Sequence, residues 1–436
     1  MKQQLERYFE FHRLATNWRT EILAGFTTFI TMAYIVFVNP GILQETGMPF
    51  QAVVAATCLS AAAGSILMGV LARYPIALAP GMGLNAYFTY TVCKGMGVPW
   101  QVALGAVFLS GVVFLILTLV GVRQLIVKAI PADLYSAVAV GIGLFIAFIG
   151  LKNAGLVVPH PATLLTLGDM HQASTLLALF GLLLTSALLA WGVRAAMLIG
   201  VLGTTAVGAL TGQLHWDPKF YNFSEITATA FRLDIGGALK IGLLEIVFVF
   251  LFVDMFDNIG TLVAVGKKAG LYDPKSNQIP RMDRILLADS LATITGSLAG
   301  TSTVVSYIES AAGAVAGGRT GVTAIVTGIL FLVALFIAPI IGVIPAAATA
   351  PALIIVGSLM VSHASEIKWD DPGISIPAFL TLITIPLTFS IANGLAFGLT
   401  SYTLIKLLRG KFGELTVMEL VLAALFIIRF IYLAKG

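Results

Sequence analysis

Residues 75–88 read Pro75-Ile76-Ala77-Leu78-Ala79-Pro80-Gly81-Met82-Gly83-Leu84-Asn85-Ala86-Tyr87-Phe88. The run is apolar, yet two prolines and two glycines argue against an unbroken helix. It reads as an extended stretch leading into a half-helix at Asn85. A second stretch of this kind is Gly300-Thr301-Ser302-Thr303-Val304-Val305-Ser306-Tyr307-Ile308-Glu309-Ser310-Ala311-Ala312-Gly313. Its first part is β-branched and hydroxyl-rich, its later part rich in small residues, which predicts an extended segment running into a half-helix at Glu309. Broken elements of this sort belong at the midplane of a bilayer, where free backbone groups can face a polar ligand.

The surrounding composition supplies that bilayer. Of 436 residues, 58% are hydrophobic and 11% charged, and mean hydropathy is +0.97. A soluble domain carries about 25% charged residues. Runs such as Val102–Val120, Leu176–Val193 and Thr323–Val343 approach or exceed the roughly 20 apolar residues of a membrane helix. Cys58 and Cys93 lie in or at the end of apolar spans and suggest no disulfide framework, and the five histidines have no metal-ligand spacing. A net charge of +4 points to no nucleic-acid partner. Met1 to Trp18 lacks the short apolar core of a cleavable signal.

Basic residues mark cytoplasmic loops. Lys2, Arg7, Arg13 and Arg19 precede the first span, and basic groups follow each even-numbered span: Arg73, Arg123 with Lys128, Arg194, Lys267 to Arg284, Arg319, Lys368, and Lys406 to Lys411. Lys94, Lys152, Lys219, Arg232 and Lys240 fall on the other side, three of them in one linker. This alternation predicts an all-α polytopic protein of fourteen spans with a cytoplasmic N-terminus. Its parts are a cytoplasmic segment 1–18, a first seven-span repeat 19–213, an extracytoplasmic linker 214–240, a second repeat 241–409, and an apolar helix 410–436. Val417–Leu433, with Arg429 in its interior, is expected to lie in the interface, Arg429 snorkelling.

The halves resemble each other. Ile130-Pro131-Ala132 with Gly143 matches Ile344-Pro345-Ala346 with Gly357, each at an offset of 214. Seven spans per half make the halves antiparallel, the inverted repeat of many transporters. Ionisable groups inside spans are costly and usually functional. Asp254 and Asp257, in Phe252-Val253-Asp254-Met255-Phe256-Asp257-Asn258-Ile259-Gly260-Thr261, are three apart and share a helix face. Glu245 lies about 18 Å further along the helix and reads as a solvated end. Glu309 stands 224 residues after Asn85, and the same offset from Asp257 falls on Ala33 in the first span.

The chain resembles the nucleobase–cation symporter-2 superfamily, in its AzgA-like purine permease branch. The resemblance is carried by Thr31-Met32-Ala33-Tyr34-Ile35-Val36-Phe37-Val38-Asn39-Pro40, Ala79 to Ala86, Phe256 to Leu262, Thr301-Ser302-Thr303 with Tyr307-Ile308-Glu309-Ser310, and Ala316 to Gly321. It implies fourteen spans in two inverted repeats, a core and a gate domain, proton-coupled purine uptake by alternating access, and commonly a homodimer. It places substrate-binding carboxylates on Asp257 and Glu309, with Asn85, Phe256 and Ala33 beside them. Proton coupling falls to Asp257, Glu309 and Asp254, with no metal or cofactor. The branch commonly has Ser or Thr directly after the aspartate; here it is Asn258, a departure that bears on base preference. The implied chemistry is sound: a carboxylate accepts from paired N–H groups and an amide both donates and accepts. Burial in low dielectric favours an acid's neutral form, which lets it carry a proton.

A related fold moves anions such as sulfate or bicarbonate, but two midplane acids oppose an anionic cargo. An intramembrane enzyme would find its aspartates at Asp370-Asp371, which sit beside Trp369 and Pro372 and read as a loop. The expectation is therefore a transporter in the inner membrane, both termini cytoplasmic, and not an enzyme.

Overall fold

The computed structural model describes residues 2–121, 131–214, 227–240, 243–271, 279–341 and 344–432. Ile130 and residues 215–226 of the 214–240 linker lie outside them, as do the side chains of Glu245, Phe256, Asp257 and Arg429. In chain order the helices are α1 (Lys2–Tyr8), α2 (Trp18–Met32), α3 (Ile35–Leu43), α4 (Phe50–Leu67), α5 (Met82–Ala86), α6 (Trp100–Val120), α7 (Ala132–Asn153), α8 (Ala173–Ala190) and α9 (Ala196–Leu210). Then follow α10 (Ile235–Lys240), α11 (Leu243–Lys268), α12 (Met282–Ala299), α13 (Ser310–Val315), α14 (Gly321–Ile341), α15 (Ala346–Met360), α16 (Pro372–Thr388), α17 (Ile391–Leu408) and α18 (Val417–Tyr432).

Seven helical stretches among the described residues are long and apolar enough to cross a membrane. Fourteen spans are the expectation, but several apolar helices are too short for that criterion. α9 and α16, at 15 and 17 residues, fall below the roughly 20 residues that a 30 Å core requires. Helix starts are set by side chains: Asn17 accepts from the Thr20 N–H, Asp371 from Gly373 and Ser390 from Asn393, each relieving one unpaired N–H of a first turn.

The chain forms two compact units, residues 1–119 with 150–352, and residues 120–149 with 353–436. In the first, the two proline- and hydroxyl-rich stretches form strands β1 (Leu78–Pro80) and β4 (Val304–Ser306), paired antiparallel with Leu78 opposite Ser306 and Pro80 opposite Val304. Gly81 N–H to Thr303 O, at 3.0 Å, and Tyr307 N–H to Ala77 O, at 2.9 Å, extend the ladder at both ends. Side chains cover its edges. Ser65 Oγ accepts from Leu78 N–H and donates to Leu78 O, Thr293 Oγ1 donates to Val304 O, and Asn258 Oδ1 accepts from Ser306 N–H. Two strands interrupting helices at membrane depth satisfy their backbone only in this way. A second hairpin, β2 (Val157–His160) with β3 (Leu164–Leu167), is largely exposed and was not anticipated from the sequence.

The second unit contains the glycines that the offset of 214 pairs. A Cβ on Gly143 would lie 2.8 Å from Gly357 O, and one on Gly357 would lie 2.3 Å from Gly143 O. The two backbones meet there without room for a side chain. Asp133 accepts from Lys368 N–H at 2.9 Å, and Ser136 donates to Glu366 at 2.8 Å. α18 begins with a reciprocal cap, Thr416 N–H to Glu419 Oε2 and Glu419 N–H to Thr416 Oγ1, the arrangement that fixes a helix start. Leu422, Ala423 and Phe426 are buried while Val417, Val421, Leu425 and Ile428 are exposed, so α18 is apolar on both its inner and outer faces.

Candidate functional site

The first span breaks at Ala33-Tyr34, between α2 and α3. At this break the Tyr34 hydroxyl donates to Glu309 Oε1 at 2.6 Å, and Thr31 Oγ1 reaches the Glu309 carbonyl at 3.5 Å. Tyr34 is 1% exposed, whereas Glu309, at the cap position of α13, is half-buried. No other side chain among the described residues donates to this carboxylate.

α13 is short, and α2 holds it along its whole length. In the middle, a Cβ on Gly313 would sit 2.1 Å from Thr28 Oγ1 and 2.8 Å from Ala24 O, so only glycine admits this approach. At the far end Glu21, fully buried, accepts from Thr16 Oγ1 and Arg319 N–H on one oxygen and from Thr320 N–H and Thr323 Oγ1 on the other. The Arg319 guanidinium donates to Ala314 O at 2.6 Å. Glu309 thus stands on a strut clamped at both ends.

Across the strand pair, Asn85 is fully buried and its Oδ1 accepts from the Ser302 hydroxyl. Its Nδ2 has no hydrogen-bond partner among the described residues. Asn39 Nδ2 donates to Thr57 at 2.7 Å and Thr301 at 2.9 Å, and Tyr307 donates to Pro80 O at 2.5 Å. A buried amide with an unused donor is costly unless something arrives to take it.

The third group lies between α11 and α12. Asn258 Nδ2 donates to Asp254 Oδ1 at 2.7 Å and to Asp289 Oδ2 at 2.8 Å, while its Oδ1 takes the Ser306 N–H at 2.9 Å. Thr293 Oγ1 lies 3.4 Å from Asp254 Oδ2. Asp254 and Asp289 are 2% and 1% exposed, so two buried carboxylates share one amide. Asn258 is the hub joining two helices to β4. Among the described residues no group of three His, Cys, Asp or Glu could hold a metal ion.

Of the residues expected at a site, Glu309, Asn85 and Asp254 fall within these hydrogen-bonded groups. Ala33 is buried at the break, while Asp257 and Phe256 are placed on α11 by their backbone alone. Tyr34, Ser302 and Asp289 were not anticipated. A phenol in the middle of a span must find an acceptor, and an aspartate inside an apolar run is costly; both signals were available for Tyr34 and Asp289.

The model of a family described as the permease family matches residues 19–397. A putative permease of Methanocaldococcus jannaschii is 53% identical, over 99% of this chain and 99% of its own. The guanine/hypoxanthine permease PbuG of Bacillus subtilis is 45% identical, over 98% of this chain and 100% of its own. The adenine permease AdeP of Escherichia coli is 43% identical, over 98% and 96%. Among solved structures, the transmembrane domain of the cyanobacterial bicarbonate transporter BicA superposes with a TM-score of 0.64 at 14% identity, over 87% of this chain and 97% of that one. SLC26A9 gives 0.67 at 11% identity, over 94% and 69%. At such identities the likeness is one of fold.

Proposed function

The chain belongs to the permease family and is a membrane transport protein rather than an enzyme, and on that premise we propose that it imports purine nucleobases by proton symport. The carrying observation is the Glu309 carboxylate, half-buried on its clamped strut with a single side-chain donor. A flat, neutral ring bearing N–H groups suits such an acceptor. Asn85, with its unused donor, faces the need of purine nitrogens and carbonyls for N–H groups. Phe256 and Ala33 complete the proposed contacts, and relatives named for guanine, hypoxanthine and adenine support the substrate class.

In the proposed cycle Asp257, Glu309 and Asp254 carry the coupling proton, and the core and gate parts of fourteen spans in two inverted repeats alternate access. The protein works as a homodimer in the inner membrane, with both termini cytoplasmic. The fold is shared with a bicarbonate transporter, but a carboxylate at the ligand position repels an anion, which disfavours anion transport here. Proteoliposomes loaded at alkaline pH and diluted into acidic buffer provide the test. Labelled hypoxanthine, guanine or adenine should accumulate and the gain should collapse with a protonophore. Accumulation that sodium drives equally well, or uptake of bicarbonate in place of purine, would overturn the proposal.

A further inference from the structure

We propose that Tyr34 is a specificity-determining residue, its phenol engaging Glu309 Oε1 so that the carboxylate offers Oε2 as its free oxygen to the N–H edge of a bound base. The proposal rests on the reading of Glu309 as the group that receives the purine. Its physical basis is the asymmetry of this carboxylate. Tyr34 is 1% exposed and comes from the protein side, at the break of the first span, to a 2.6 Å bond. When the acid is ionised, such a bond is of the strong, charge-assisted kind. Glu309 itself is only half-buried, and Tyr34 holds Oε1 alone, so acceptor capacity remains on Oε2. The backbone beneath it cannot yield, because Gly313 is seated on Thr28 and Ala24 and Glu21 holds the turn beyond α13.

Purine edges differ in what they ask of such a group. Hypoxanthine presents a single N1–H next to its carbonyl, and one carboxylate oxygen satisfies it. Guanine presents N1–H and a 2-amino N–H side by side, a pair that matches both oxygens of a carboxylate at once, as an arginine fork does. Each oxygen has two lone-pair sites, so the phenol does not close Oε1. It takes half of that oxygen's capacity and fixes the carboxylate's rotation. A single-donor edge therefore meets a pre-oriented acceptor, while a side-by-side edge must share Oε1 with the phenol or expel it.

Tyr34→Phe removes the hydroxyl and keeps the ring. With purified protein and labelled bases, the ratio of hypoxanthine Kd to guanine Kd should rise about tenfold, the worth of one charge-assisted hydrogen bond. A ratio that stays put while both affinities change together would make Tyr34 a general support of the fold, and a ratio that falls would reverse its role; either overturns the proposal. The native chain offers an independent readout should the variant fold poorly. With a site-specific isotope label on the Tyr34 phenol, difference infrared spectra should show its C–O band shift on adding guanine and stay in place with hypoxanthine. An unmoved band with guanine bound would also overturn it. Undiminished binding of both bases by Glu309→Ala would instead remove the premise, so the two failures are read from different variants.

Discussion

Replacing Asn258 by leucine removes one side chain and four hydrogen bonds at once, one of them to the Asp254 carbonyl. Its amide donates to Asp254 at 2.7 Å and Asp289 at 2.8 Å, and its carbonyl takes the Ser306 N–H at 2.9 Å. A lost hydrogen bond to a charged group costs about 1.5–3 kcal/mol and an orphaned buried N–H about 1–3 kcal/mol. Thr293 remains near Asp254, so the lower ends apply and the total is about 4 kcal/mol, in the range that marks loss of a buried network. Unfolding in mixed micelles with a graded denaturing detergent reads this difference. Removing one carboxylate as well should return part of it, because a buried acid that has lost one of its donors costs more than a leucine in its place. Asn258→Leu with Asp289→Leu is therefore expected to be more stable than Asn258→Leu alone. A single variant within about 1 kcal/mol of wild type, or a double variant showing plain additivity, would refute the hub.

Three further outcomes follow from the same contacts. Gly313→Ala places a methyl group 2.1 Å from Thr28 Oγ1 and should cost about 1–3 kcal/mol as overpacking, relieved in part by Thr28→Ala in the same unfolding assay. The Gly373 N–H and then the Arg409 guanidinium hold the Asp371 carboxyl below the usual carboxylate range. A depressed value stabilises above the unfolded pKa and the contribution is lost as pH falls through the folded one. Asp371→Asn should thus lower thermal stability slightly in the neutral range, where the contribution is present, and converge with wild type in acid, so that the acid limb flattens, which a melting series across pH checks. For the α11 acids, Asp257→Asn should abolish accumulation against a gradient while leaving downhill exchange, whereas Asp254→Asn should mainly lower rate or yield; uphill uptake that survives only in the Asp257 variant would exchange their roles.

The two broken elements could be read from residue types because the signal is local. Pro75, Pro80 and Gly81 exclude a continuous helix, and Thr303-Val304-Val305 favours extension; β1, β4 and the half-helices beyond them stand on those residues. What joins them could not be read in the same way. Tyr34 meets Glu309 across 275 positions of sequence, and no periodicity reports such a pairing. The offset of 224 falls on Ala33, one residue short of the side chain that meets Glu309. Asp289 escaped notice beside the charged start of α12, where Asp283 and Arg284 make another acid look ordinary. Glu21 sits beside the basic flank of the first span in sequence, yet it is buried against four donors, three of them from Arg319 to Thr323. The β2–β3 hairpin, with Pro159 and Pro161 in its sequence, lacks the alternating pattern by which a strand pair is recognised.

The central claim is that Glu309 receives the base. Equilibrium binding of labelled hypoxanthine to purified wild-type protein and to Glu309→Gln tests it most directly, since glutamine keeps the shape but turns an acceptor into a donor aimed at purine N–H groups. Saturable binding by wild type and a loss of about tenfold or more in the variant is the expected result, the cost of a mismatched buried donor. A folded Glu309→Gln protein that binds hypoxanthine with wild-type affinity would contradict the account.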